Sequence, residues 1–164
     1  MFNRQMVMQL LPTLGVAGLI TFLLCQRHGG FLVVFQAAIL ILACALNLWP
    51  FIKNRAGRPL LLAKLGIWLL SMAVIVVSHA MLAAHTRAKA QGVVDAINGY
   101  YQANGAYPSD LGSIGYLPSA FKDEIGMGGY HLDGENPTLF YASTYIAFAT
   151  EHYDFNNGVW LHSD

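Results

Sequence analysis

No aspartate or glutamate occurs in the first 94 residues of this 164-residue chain, and apolar residues run almost unbroken through that stretch three times. The runs are Met6 to Cys25, Phe31 to Ile52 and Pro59 to about Ala84, with Lys64 the one cation inside them. Each is about 20 residues or longer, enough for a helix to cross about 30 Å of hydrocarbon. Three transmembrane helices are therefore expected over residues 1–84. Composition agrees, since 11% of the residues are charged against about 25% in an ordinary soluble domain. Eight of the nine Lys and Arg lie between Arg4 and Lys89, while all nine acidic residues lie between Asp95 and Asp164. A net charge of zero thus conceals a basic-flanked apolar block, 1–84, and a mildly acidic, water-compatible block, 85–164.

The first run has a basic start at Arg4, but its apolar core exceeds the roughly 7–15 residues of a signal peptide and no Ala-x-Ala site comes after it. Cys25 comes directly after Leu23-Leu24, where lipoprotein processing requires a small residue. The run is expected to stay as a membrane helix. Between the second and third runs lie Lys53, Arg55, Arg58 and Lys64, whereas the first connection offers Arg27 and the titratable His28. The positive-inside rule places the four-cation loop and the N-terminus in the cytoplasm and the second block outside. Trp49 and Tyr100–Tyr101 read as interface anchors. Cys25 and Cys44 fall within or beside apolar runs and read as small buried hydrophobes, so no disulfide staples the outer block.

No turn signal separates the third run from the residues after Ala84. Ala90, Val93, Val94, Ile97 and Tyr101 recur on one helical face. The pattern predicts one helix from about Pro59 to Asn104. Gly92 and Gly99 each cost it about 1 kcal/mol relative to Ala, so its second half must be packed against something. Asn104-Gly105 supplies a C-terminal stop, and Pro108 prevents resumption. PSDLGSIGYLPSAFKDEIGMGG then reads as a loop anchored by Leu111, Ile114, Leu117 and Phe121. The remainder contains strand-like pieces: GGYHL, TLFYAS, TYIAFATEHYDF and GVWLH, with turns at Asp133-Gly134 and Asn157-Gly158. The expected fold of 85–164 is α+β, a long helix packed on an antiparallel meander of three or four strands.

The segment AINGYYQANGAYPSDLGSIGYLP, Ala96 to Pro118, at the end of a long helix and ahead of an antiparallel sheet, resembles the type IV pilins and the pseudopilins of type II secretion. In those families it is the end of the long helix turning into the loop beneath the sheet. The resemblance puts Tyr100, Tyr101, Gly105, Tyr107, Pro108 and Leu111 in those places, with the tyrosine rings buried and their hydroxyls wet. A pilin has one membrane helix, released by cleavage after Gly and carrying Glu at its fifth position. Here Gly30 precedes FLVVFQAAILIL, but the fifth residue is Phe35. Retention of all three spans, without entry into a filament core, is the expectation.

Candidate chemistry is sparse. His131, Asp133 and Glu135 alternate, as do His152 and Asp154, so each set faces one side of a strand. Polar residues on the wet face of a half-buried sheet alternate in the same way, and that reading is preferred to a metal or catalytic site. Asp154, Asn156 and Asn157 are the loose candidates for calcium, because major pseudopilins hold calcium in a C-terminal loop; a hairpin turn accounts for the same residues. His79 and His85, six residues apart, fall on opposite helix faces, and His79 reads as a hydrogen-bonded or snorkelling residue. Gln9, Gln36 and Asn47 read as interhelical hydrogen-bonding groups. No carboxylate lies in the apolar runs, which argues against an ion-coupled transporter. No phosphate loop, Ser–His signature or CxxC occurs, so neither cofactor nor catalysis is expected.

The expected function is a non-enzymatic inner-membrane interaction protein presenting a pilin-like domain in the periplasm, an accessory or assembly factor of a pilus or type II secretion-like system. Its partners would be membrane proteins, met through the exposed sheet, the Gly115–Gly129 loop, the Tyr100, Tyr101, Tyr107 and Pro108 region, and the small residues Ala80 and Ala84. The alternative is an accessory subunit of a larger membrane enzyme complex, or an immunity-type membrane protein.

Overall fold

The computed structural model describes residues 4–27, 29–146 and 148–163, apart from the side chains at 47, 48 and 50. His28, Ala147 and the side chain of Asn47 therefore lie outside the described residues. The chain divides into two compact units, Met1–Ala80 and Met81–Asp164. One helix, α3, contributes residues to each.

The first unit contains α1 (Arg4–Leu24), α2 (Val33–Lys53) and the beginning of α3 (Arg58–Asn104). Two helices, α1 and α3, are long and apolar enough to cross a membrane, where the sequence predicts three. Helix α2 is itself 21 residues long, but its described apolar stretch, Gly30–Leu46, falls short of that length. Few side chains in this unit are buried: Leu10, Ala17, Val33 and Ile75 among the apolar, Gln36, Ser71 and His79 among the polar. Phe22, Ile39, Ile41 and Leu46 point outward.

The buried polar groups form a directed chain across the three helices. Thr21 Oγ1 lies 2.7 Å from the Ala17 carbonyl, to which only it can donate. It therefore accepts from Ser71 Oγ, also at 2.7 Å. Ser71 in turn accepts from Gln36 Nε2 at 3.2 Å. Gln36 is thus the interhelical hydrogen-bonding group that its sequence position suggests, whereas Gln9 is exposed. His79, buried on α3, donates Nε2–H to the Leu24 carbonyl at 2.7 Å, which satisfies one of the carbonyls that α1 leaves open at its end. Arg58 does the same for α2, donating to the carbonyls of Phe51 and Ile52. The cysteines are not buried as expected: Cys25, just past the end of α1, is half-buried, and Cys44 on α2 is exposed.

In the second unit α3 ends at Asn104, where Gly105 takes φ +72° and donates to the Tyr101 carbonyl at 2.8 Å. A left-handed residue there is what closes the helix, and glycine adopts it without strain. Two short pieces come next that the sequence reads only as loop. Leu111–Ile114 forms a 3-10 turn, capped by Asp110 accepting from Ser113 N–H at 2.9 Å. Helix α4 (Pro118–Glu124) starts with proline at its first turn, where a missing N–H costs nothing. The sheet is a four-stranded antiparallel meander in the order β1 (Gly128–Asp133), β2 (Asn136–Ala142), β3 (Thr150–Asp154), β4 (Val159–Ser163).

Register assigns the two faces. Tyr130, Leu139, Tyr153 and Trp160 sit side by side across the four strands and face the core. That core consists of Ala90, Val93, Val94 and Ile97 from α3, Leu111, Phe121 and Ile125 from the connection, and Leu139, Tyr141 and Tyr153 from the sheet. The helical stripe expected from periodicity is therefore the cover of the sheet. Tyr101 is the exception, 43% exposed. It stacks on Tyr107 with ring centroids 4.3 Å apart.

Candidate functional site

The end of α3 and the segment after it join the sheet in an aromatic network. Tyr107 stacks on Tyr101 and meets Phe155 edge-on; Phe155 meets Tyr153, and Tyr153 meets Trp160. Pro108 is fully buried, and its carbonyl accepts from the Tyr130 hydroxyl at 2.9 Å. Desolvation pushes the Tyr130 phenol from 10.0 to about 12, so it stays a donor across the ordinary pH range. Tyr100 is half-buried. Tyr101 thus takes part in the second unit's own aromatic packing. Trp49, the other expected anchor, is exposed beside Lys53, whose ammonium lies 4.6 Å from the ring centroid.

The outer sheet face is a different surface. Phe140, His152 and Leu161 form one cross-strand row, and His131, Thr138, Asp154 and Val159 the next. Phe140, Val159 and Leu161 stay 39%, 45% and 42% exposed, so three large apolar groups share a face that no element among the described residues covers. A shallow depression of about 300 Å³ opens at its hairpin end, lined by Thr138, His152, Asp154, Asn156 and Leu161 among others. His131 and His152 are on this face, but Asp133 and Glu135 sit at the β1–β2 turn. Among the described residues no three His, Cys, Asp or Glu side chains are grouped to hold a metal ion.

The calcium candidates Asp154, Asn156 and Asn157 bond to one another within the β3–β4 turn. Asp154 Oδ1 accepts the N–H groups of Asn156 and Asn157 at 2.9 and 3.1 Å, and Oδ2 accepts Asn157 Nδ2 at 2.6 Å. The side-chain bond from Asn157, then the backbone bonds, hold the Asp154 carboxyl below its ordinary value. Such a carboxylate fixes the β3–β4 hairpin.

A second cavity, about 280 Å³, lies where α3 enters this unit, lined by Ala83, Ala84, Arg87, Tyr141, Ser143, Thr144 and Glu151. Glu151 lies 4.0 Å from the Arg87 guanidinium and 2.8 Å from His162 Nδ1, within hydrogen-bonding distance of the imidazole. Arg87 also lies over the Trp160 ring at 5.7 Å. Lys89 pairs with Glu124 at 2.9 Å, raising the lysine and lowering the carboxyl from their ordinary values. Ala84 is exposed beside this cavity, and Ala80 is exposed in the first unit.

The sequence reading missed the loop that leads from β2 to β3. Residues 144–149 read as the start of a long strand, yet β3 begins only at Thr150. The Ser143 hydroxyl accepts the N–H groups of Tyr145 and Ile146, and Ser143 N–H bonds the Ala149 carbonyl at 2.8 Å. Ser-Thr at 143–144 was the available signal, since Ser hydroxyls offer backbone groups an alternative to the ladder. Comparison with protein families, characterised proteins and solved structures finds no match for this chain.

Proposed function

We propose that this is a membrane-anchored interaction protein of a bacterial inner membrane, which binds partners and catalyses nothing. Helices α1, α2 and the first part of α3 are its three spans, with the N-terminus cytoplasmic and the α+β unit in the periplasm. The third span is α2, whose sequence stays apolar from Phe31 to Ile52. The observation that carries the reading is that α3 runs unbroken from Arg58 to Asn104. Its first part is apolar enough to cross a membrane, and its second part lays Val93, Val94 and Ile97 on a sheet. Anchor and domain thus share one element. The outer sheet face around Phe140 and Leu161 is the surface offered to a protein partner.

The class of partner comes from the resemblance of Ala96–Pro118 to pilins and pseudopilins: a component of a pilus or type II secretion-like system, for which this chain is an accessory or assembly factor. A photo-crosslinking amino acid at Leu161, with purification from native membranes, tests this. Adducts with pilus or secretion components that vanish in a Phe140→Ser, Val159→Ser double variant support it. Recovery of a respiratory, transport or toxin protein at the same position would sink the pilus assignment and favour an accessory subunit or immunity-type role.

A further inference from the structure

In the loop between β2 and β3, large apolar side chains face outward beside a buried base. Ser143, Thr144 and Ala149 at its base are 8%, 3% and 1% exposed, while Phe148 is 90% exposed, more than any other large apolar side chain described. Ile146 beside it is 36% exposed. The Ser143 hydroxyl accepts from Tyr145 and Ile146, and Ser143 N–H donates to the Ala149 carbonyl, which ties the two ends of the segment together beside the exposed Phe148.

The meander places this loop. In an antiparallel meander successive connections alternate ends, so the β2–β3 loop lies opposite the β1–β2 and β3–β4 turns. The start of β1 is at the loop's end, and there Met127, 59% exposed, accepts Ala142 N–H through its carbonyl. The same end adjoins α3: Ser143 and Thr144 line one cavity with Ala83, Ala84 and Arg87. Along α3 these are the residues where the apolar run stops and cations return, at Arg87 and Lys89. Three exposed apolar side chains, Met127, Ile146 and Phe148, therefore gather at the end of the sheet level with the transition from apolar to basic sequence.

We infer that this end of the sheet is a lipid-contacting edge: Phe148, Ile146 and Met127 enter the interfacial region of the bilayer, and Arg87 meets lipid phosphate beside them. Aromatic rings and long cations are the side chains that partition to that depth, and the Arg87 side chain is 52% exposed. The inference rests on the proposed membrane placement of α3. It adds a second, shallow attachment by which the domain is held against the bilayer.

Spin-label accessibility on the full chain, with Cys25 and Cys44 replaced by Ala, tests it in vesicles of phosphatidylglycerol and phosphatidylcholine. Labels are placed singly by Phe148→Cys, Met127→Cys, Val77→Cys and Asn156→Cys. Collision with oxygen and with a water-soluble nickel chelate is then compared. The expected order of oxygen preference is 77 highest, 148 and 127 intermediate, and 156 favouring the chelate. If 77 is in lipid while 148 and 127 both match 156, the lipid-contacting edge is wrong and the membrane placement stands. If 77 matches 156, the membrane placement falls and the inference with it. Because Phe148 and Met127 are exposed, neither label requires repacking, and two positions guard against a local artefact.

Discussion

Gly128 opens β1 at a point where the neighbouring strand leaves no room for a side chain. A Cβ there would collide with the Phe140 carbonyl oxygen and lie 2.6 Å from Tyr141 Cα, both of them backbone. Backbone cannot swing aside as a side-chain tip can, so Gly128→Ala is expected to cost about 2–3 kcal/mol, the upper range of overpacking, or to shift the β1–β2 register. Denaturant unfolding, with the Tyr130–Pro108 contact followed by NMR, checks this. Gly105→Ala meets no clash and should cost only the left-handed conformation, about 1–2 kcal/mol. A sequence marks Gly105 through Asn-Gly and Pro108; it cannot mark Gly128, whose constraint comes from a strand a dozen residues away. Tyr101 shows the same limit from the other side. Its spacing places it on the apolar stripe, but the ring is 43% exposed and stacks on Tyr107 instead.

Elements were legible where one periodicity persisted. Over α3 the 3.6-residue pattern from Ala90 to Ile97 marks the buried stripe, and Ile97→Ala should cost about 2–4 kcal/mol of the α+β unit's stability. Short elements were not legible: α4 is seven residues, too few to show a period, and the 144–149 loop has strand-forming residues whose pairing Ser143 pre-empts. In the first unit, the polar chain of Thr21, Ser71 and Gln36 yields an asymmetric expectation. Ser71 serves two partners, so Ser71→Ala should lower stability in detergent by about 1 kcal/mol. Gln36→Leu should stay within about 0.5 kcal/mol, because it also removes Oε1, a buried acceptor with no partner among the described residues. Equal losses from the two variants would show that the chain is not ordered as described.

At the scale of the whole molecule, charge is segregated. Residues 1–80 carry six Lys and Arg with no acid, whereas residues 81–164 carry three against nine Asp and Glu, a formal +6 and −6. The acidic unit must therefore hold its carboxylates by local bonds, and three of them are held below their ordinary values. Asp110 is lowered by the Ser113 backbone N–H, Glu124 by Lys89 and Asp154 by Asn157. A carboxyl lowered on folding contributes stability that is complete above its unfolded value and is lost as pH falls through the folded one. Near pH 4 and below the unit should weaken, even though protonation also relieves its net negative charge. On the alkaline side Tyr130 and Tyr141 are raised by desolvation from 10.0 to about 12. A group raised on folding stabilises below its unfolded value, so this contribution is lost as pH rises from about 10 to about 12. Stability of the α+β unit should thus be flat from about pH 5 to 9 and fall on both sides. Near-ultraviolet circular dichroism of the full chain in detergent, which reads the Tyr101–Tyr107–Phe155–Tyr153–Trp160 network, tracks it directly. Tyr130→Phe removes one raised phenol together with its bond to Pro108. That variant should lose about 1 kcal/mol at neutral pH and fall less steeply above about pH 10 than the native chain. An alkaline limb equally steep in both proteins would show that the buried phenol of Tyr130 does not set it.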